Sequence, residues 1–142
     1  MARLKLELPL RLPFTTEIEV RVTDLNYGRH LGNDALLGLI HEARVRFLRA
    51  HGLHELDIDG KMLVMIDAAI AYRAEAFDGD RLWFAVGVGE PSRIGCDFFY
   101  RVNRHGDQRL VAEAKTGVVF LDPATRKVVA LPAAVRQLTG RD

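Results

Sequence analysis

One long stretch of this chain, from Asn33 or Asp34 to about Gly52, carries its apolar residues at helical spacing: Leu36, Leu39, Ile40, Ala43, Phe47 and Ala50. Most of the remaining chain alternates with a period of two. Ile18, Val20 and Val22 face one way while Glu17, Glu19 and Arg21 face the other, and the parity of that run carries Asp24 onto the apolar face. Four longer strand-like runs follow at about 62–77, 81–90, 93–104 and 109–121, divided by the turn-forming segments FDGD, EPS and RHGDQ. Their apolar faces, such as Leu82, Phe84, Val86 and Val88, need a cover, and the only long amphipathic element available is the helix. The fold class expected is therefore α+β, one long helix packed on a curved antiparallel sheet. Glycines inside the strands, at 87, 89, 95 and 117, suit a strongly bent sheet or a close helix.

The two ends are simpler. Leu4 to Phe14 alternates but carries Pro9 and Pro13, which demotes it to an edge strand or an extended arm. After the turn at Asp122-Pro123 the tail predicts a short extended piece and one last helical turn.

At 142 residues the chain suits a single domain, 1–142, with a sizeable core. Its 20 basic and 19 acidic residues are interspersed, which gives no global electrostatic case for nucleic acid or an anionic membrane. No segment approaches the ~18 apolar residues of a membrane span, and a cytoplasmic location is expected. Cys96, the single cysteine, excludes an intrachain disulfide and shares a face with Ile94, Phe98, Tyr100 and Val102, as a small buried hydrophobe would. The histidines at 41, 51, 54 and 105 lack metal-ligand spacing, and no Gly-x-Ser-x-Gly elbow is present, so neither a metal nor a serine nucleophile is expected. No cofactor is expected either.

Polar residues concentrate in VTDLNYGRHLGND, residues 22–34, between the first strand and the helix. With its helix, RVTDLNYGRHLGNDALLGLIHEARVRFLRAHGL resembles the opening of hotdog-fold acyl-CoA thioesterases of the 4-hydroxybenzoyl-CoA thioesterase type. There, a strand ends in an Asp-x-Asp-like segment, passes a Gly-His and Asn pair, and enters a helix bearing Glu-x-Arg. AIAYRAEAFDGDRLWFAVGV is similar to the family's tyrosine-bearing strand, Gly-Asp turn and next strand, and LPAAVRQL to its closing segment. The resemblance implies a hotdog fold, hydrolysis of an acyl or aroyl thioester of coenzyme A, and a homodimer or dimer of dimers. An acyl-CoA or acyl-carrier-protein binding module without catalysis is the alternative, and a dehydratase a third reading. One position departs from the pattern: Asn26 falls where the best-studied branch has its catalytic aspartate.

Thioester hydrolysis requires carbonyl polarisation, an aligned water or nucleophile, and a proton acceptor. Unpaired amides at the helix start can polarise the carbonyl. The expected catalytic set is Asp24, Asn26, His30 and Glu42, with Tyr27, Asn33 and Tyr72 as substrate-binding residues. Asp24, desolvated, would gain basicity, or else it caps the loop. Glu42, on the helix face away from Leu36 and Ile40, acts from the same or a partner subunit or pairs with Arg46 at the surface. Asn26 holds a water or the thioester oxygen, or turns the chain. His30 polarises the carbonyl or shuttles a proton, or is structural. Asn33 is the expected helix N-cap, Tyr27 lines the pocket mouth, and Tyr72, on a face with Ile66, Ile70 and Ala74, serves core or substrate.

Overall fold

The computed structural model describes residues 1–140. Five strands, β1 (Phe14–Glu19), β2 (Met62–Tyr72), β3 (Arg81–Gly89), β4 (Gly95–Arg104) and β5 (Leu110–Leu121), form one antiparallel sheet in the order β1-β3-β4-β5-β2. Between β1 and β2 runs the helix α1 (Asn33–Ala50), roughly 27 Å long at 1.5 Å per residue. A short α2 (Ala133–Leu138) closes the chain. This is the one-helix, antiparallel-sheet arrangement that the helix and alternating runs predict, and the hotdog architecture that the resemblance implies. No helix among the described residues is long and apolar enough to cross a membrane.

The helical stripe does what its spacing requires. Leu36, Ile40, Ala43, Phe47 and Leu48 are buried in a cluster with the inward residues of the sheet, Phe84, Phe98 and Phe120 among them. The Phe47 ring meets those of Phe14 and Phe98 edge-on at centroid distances of 5.5 and 6.0 Å. Fully burying such a side chain contributes about 2–3 kcal/mol. Cys96 belongs to the same cluster, and burial first, then Asp97, pushes its thiol up to about 12. It is not a nucleophile at neutral pH.

Three departures from the periodic expectations shape the site. First, β1 ends at Glu19 and the chain enters a single 3-10 turn, Val22–Asp24, which leaves Val22 68% exposed. Asp24 is buried as expected, but by that turn and not by strand parity. Second, β2 carries a bulge between Met65 and Asp67. The bulge shifts the parity, so Tyr72 shares its inner face with Ile70, Ala68, Met65 and Leu63, while Ile66 sits in the irregularity at 62% exposure. Gly117 permits it: the Asp67 carboxylate occupies the space a β-carbon there would need and accepts hydrogen bonds from Gly117 N–H at 2.9 Å and Lys115 Nζ at 2.8 Å.

Third, β2 stops at Tyr72, not at residue 77. The N–H groups of Arg73 and Ala74 both reach the Val111 carbonyl, at 2.8 and 3.2 Å, and the strand leaves the ladder. Leu31 N–H then donates to the Ala76 carbonyl at 2.7 Å, holding residues 73–76 against the polar corner. The N-terminal residues 1–13 form no strand and run as an extended arm, with Leu12 and Pro13 seated over Gly87.

Candidate functional site

The polar corner is a closed loop. Asn26 N–H donates to the His30 carbonyl and Arg29 N–H to the Asn26 carbonyl, both at 2.9 Å, and an isolated bridge joins Leu25 to Leu31. Closing so tight a turn puts Arg29 at φ 63°, a left-handed conformation uncommon for a residue with a β-carbon. Gly32 N–H donates to the Asp24 carbonyl at 2.9 Å, which delivers the chain into α1.

The helix start differs from the expectation. Gly32, not Asn33, occupies the N-cap, with no side-chain cap, and Asn33 is the first helical residue. The Asp34 carboxylate takes the space a side chain at the cap would need: a β-carbon on Gly32 would lie 2.8 Å from Asp34 Oδ1. The first bond of the helix runs from Leu36 N–H to the Gly32 carbonyl at 3.1 Å. No protein acceptor meets the amides of Asn33, Asp34 and Ala35 among the described residues. They are the orphan donors of a helix N-terminus, where the dipole favours negative charge.

Beside these amides is a cleft of about 250 Å³ between the helix start and the end of β2, lined by His30, Asn33, Leu36, Tyr72 and Glu75 among others. Tyr72 Oη donates to the Asn33 carbonyl at 2.8 Å, tying the strand to the helix. Desolvation, helped by Asp34, raises the Tyr72 phenol and keeps it a donor. His30 Nδ1 faces the Leu31 carbonyl at 3.4 Å, and Nε2 stands 3.9 Å from Glu75 Oε1. A proton on Nδ1 suits the Leu31 carbonyl and would make Nε2 the acceptor nitrogen of the ring. Glu75 is absent from the sequence-derived set; its place beside His30 depends on the early end of β2, which no local pattern announces.

Asn26 is partly committed. Its Oδ1 accepts from Gly28 N–H at 2.9 Å, as in an Asx turn, which leaves its Nδ2 as the free donor. It is near His30: a β-carbon on Gly28 would lie 3.2 Å from His30 Nε2 and 3.3 Å from Asn26 Oδ1. Tyr27 projects wholly into solvent, away from the cleft lining.

Asp24 and Glu42 lie elsewhere, along a second groove that Arg21 and Arg46 also line. Asp24 accepts from Arg21 backbone N–H at 2.9 Å and from Arg21 Nη2 and Nε at 3.0 and 3.1 Å. The side-chain bond to Arg21 holds its carboxyl below the usual aspartate range, outweighing desolvation. The expected gain in basicity is thereby reversed, because the buried carboxylate meets its cation within three residues. Glu42 pairs with Arg46 Nε at 2.8 Å, and Arg46 in turn donates to Thr16 Oγ1 and the Glu17 carbonyl, both at 2.9 Å. Of the seven residues expected in the site, the fold thus brings His30, Asn33 and Tyr72 to one cleft with Asn26 beside them.

The model of the thioesterase-like superfamily matches residues 20–138, from the end of the first strand to the last helix. The chain belongs to that superfamily. Among solved structures, this thioesterase-like chain is similar to Slr0204, a 1,4-dihydroxy-2-naphthoyl-CoA thioesterase from Synechocystis, at 25% identity and a TM-score of 0.80, covering 88% of this chain and 93% of that one. It shares its fold with YbaW, a probable thioesterase from Escherichia coli, at 23% identity and TM-score 0.70 over 87% and 93% of the two chains. The same fold appears in SAV2348 from Staphylococcus aureus, solved in complex with CoA, at 16% identity and TM-score 0.78 over 88% and 80%. A comparison with curated proteins finds no match.

Proposed function

We propose that this thioesterase-like chain hydrolyses an acyl or aroyl thioester of coenzyme A to the free acid and CoA. The observation that carries the reading is the convergence, on one cleft, of the unpaired Asn33 amide at the start of α1 and the His30 imidazole. The thioester carbonyl oxygen accepts from the helix amides, Asn33 N–H foremost, and the amides hold the negative charge that forms there. A water held by Asn26 Nδ2 attacks the carbonyl carbon and gives its proton to His30 Nε2. The Glu75 carboxylate stabilises the resulting imidazolium. Collapse of the tetrahedral intermediate breaks the C–S bond, and the CoA thiolate leaves with the proton from His30.

In this reading Asp24 is a positioning residue: it braces the corner through Arg21, since a carboxylate so stabilised is a weak base. Tyr72 fixes the helix start through Asn33 and walls the cleft. Tyr27, exposed outside the cleft lining, contributes only where the bulk of CoA extends over it, and Glu42 only where a partner subunit brings a second cleft against it. Purified protein assayed with a panel of acyl-CoA thioesters and a thiol reagent is expected to turn over at least one. His30→Gln is expected to lower kcat by ~10²–10⁴-fold with little change in KM. Absence of turnover across all chain lengths in folded protein contradicts the proposal.

The noncatalytic alternative, an acyl-CoA or acyl-carrier-protein binding module, is favoured by Asn26, whose amide cannot accept a proton, and by the occupied Asp24. Binding without hydrolysis, followed by a large gain in turnover in Asn26→Asp, would decide for it.

We propose also that the chain forms a homodimer, or a dimer of dimers, through β2. That strand is an edge of the sheet, eleven residues long, with Met65, Ile66 and Tyr72 39–62% exposed, and pairing with a second copy satisfies its free backbone groups. A monomer by light scattering at micromolar concentration excludes the arrangement.

A further inference from the structure

Arg44 lies on the apolar stripe of α1, in the row Leu36, Ile40, Arg44, Leu48, and its side chain is only 5% exposed. Its Nε donates to Glu55 Oε2 at 2.7 Å, and Nη1 reaches Tyr100 Oη and Thr116 Oγ1 at 3.5 and 3.4 Å and Met65 Sδ at 4.0 Å. Glu55 Oε1 is bound by His41 Nε2 at 3.0 Å. The remaining nitrogen, Arg44 Nη2, has no protein partner, yet no buried side-chain nitrogen among the described residues goes unsatisfied, so Nη2 retains contact with solvent. Arg44, Glu55 and His41 line an open cavity of about 440 Å³ whose other walls include Leu37, Leu63 and Met65. A guanidinium with two of its three nitrogens bound and the third in reach of solvent, in the wall of a cavity that pairs Leu37, Leu63 and Met65 with the charged groups of Asp34, Glu55 and Arg44, is a preorganised donor.

We infer that this cavity is a recognition subsite for the far end of the acyl group, and that it selects a chain ending in a hydroxyl. The inference rests on the thioesterase reading of the neighbouring cleft. The two spaces adjoin along α1, since Asn33 and Leu36 line the cleft, and Asp34 and Leu37 the cavity. The inner face of β2, Tyr72, Ile70, Ala68 and Met65, runs alongside from one to the other. Eleven residues of helix separate Asn33 from Arg44, and the arginine leans back toward the helix start, so the reach from thioester to guanidinium is roughly 12–15 Å. At about 1.25 Å of advance per carbon, an extended chain of about ten carbons spans it.

The charge balance chooses the terminal group. Glu55 already neutralises Arg44, so a second carboxylate would be repelled by the first. A carbonyl only accepts. A hydroxyl accepts from Arg44 Nη2 and donates to a lone pair of Glu55, using both halves of the pair.

The test uses two stable thioethers of CoA, decyl-CoA and 10-hydroxydecyl-CoA, titrated calorimetrically into the full chain. The hydroxylated probe is expected to bind about tenfold tighter. A folded Arg44→Met variant is expected to lose the preference for the hydroxyl. Equal affinities in the wild-type protein, tighter binding of a 10-carboxydecyl thioether, or no binding of either probe overturns the inference. Thioether binding needs no turnover, so a protein that prefers the hydroxyl without hydrolysing any thioester retains the subsite and fails only as an enzyme.

Discussion

The corner at residues 22–34 and the buried group around Arg44 are both polar, and they are built in opposite ways. The bonds that close the corner span a few residues, Asp24 to Arg21, Asn26 to Gly28, Arg29 to Asn26, while Leu31 to Ala76 and Asn33 to Tyr72 tie it to distant chain. Around Arg44 the partners are 11, 21, 56 and 72 positions away in the chain, and the helix, the loop after it and three strands must all be in place. Short-range bonds tolerate water and make a turn whatever the fold does. Long-range bonds in a dry setting exist only in the finished fold, and their loss leaves a desolvated charge.

The contrast predicts a ranking of stability losses, readable from urea denaturation. Glu55→Gln removes the counter-ion of a nearly sealed guanidinium and is expected to cost about 3 kcal/mol. A cost below that of the corner changes would mean that the Arg44 charge is solvated and that the distinction fails.

Asp24→Ala is expected to cost about 1–2 kcal/mol at pH 7 through its charge-assisted bonds. Because folding holds the Asp24 carboxyl below its ordinary value of 3.8, its stabilisation is fully present above that pH and disappears as pH falls through the lower folded value. Melting curves of the variant and wild type should therefore converge in acid; a gap that widens there has the wrong sign.

Tyr72→Phe deletes the one hydroxyl that ties β2 to the helix start and is expected to cost about 1 kcal/mol. Its informative readout is KM, which should rise if the cleft loosens. The smallest expected effect is a gain. Arg29→Gly relieves a left-handed residue and should stabilise by about 0.5 kcal/mol, seen as a higher Tm; a loss would show that the Arg29 side chain holds the loop.

Much of the fold was legible because its causes are local. Alternation in 81–90 and 93–104 and the 3.6-residue stripe of α1 survive any tertiary arrangement, and strands and helix appear within a few residues of the expected ends. The errors fall where partners are distant. The bulge that shifts Ile66 off the Tyr72 face is accommodated by Gly117, fifty residues from Asp67. The end of β2 depends on Val111, and so does the approach of Glu75 to His30. Asp24 shows the reverse failure: its neutralising partner was three residues away and readable, yet strand parity suggested a desolvated base. Arg44 also left a signal, a cation at an apolar position of the helical stripe, which only a pairing argument could turn into a site.

By itself, then, the sequence determined the one-helix, curved-sheet architecture and the polar turn leading into the helix, because spacing and side-chain chemistry are properties of neighbours along the chain. Only the tertiary structure decided that His30 meets Glu75 while Asp24 and Glu42 face another groove, and that Arg44 is held with one donor open. Those are matters of which distant strands and loops arrive together, and of how much water they exclude when they do.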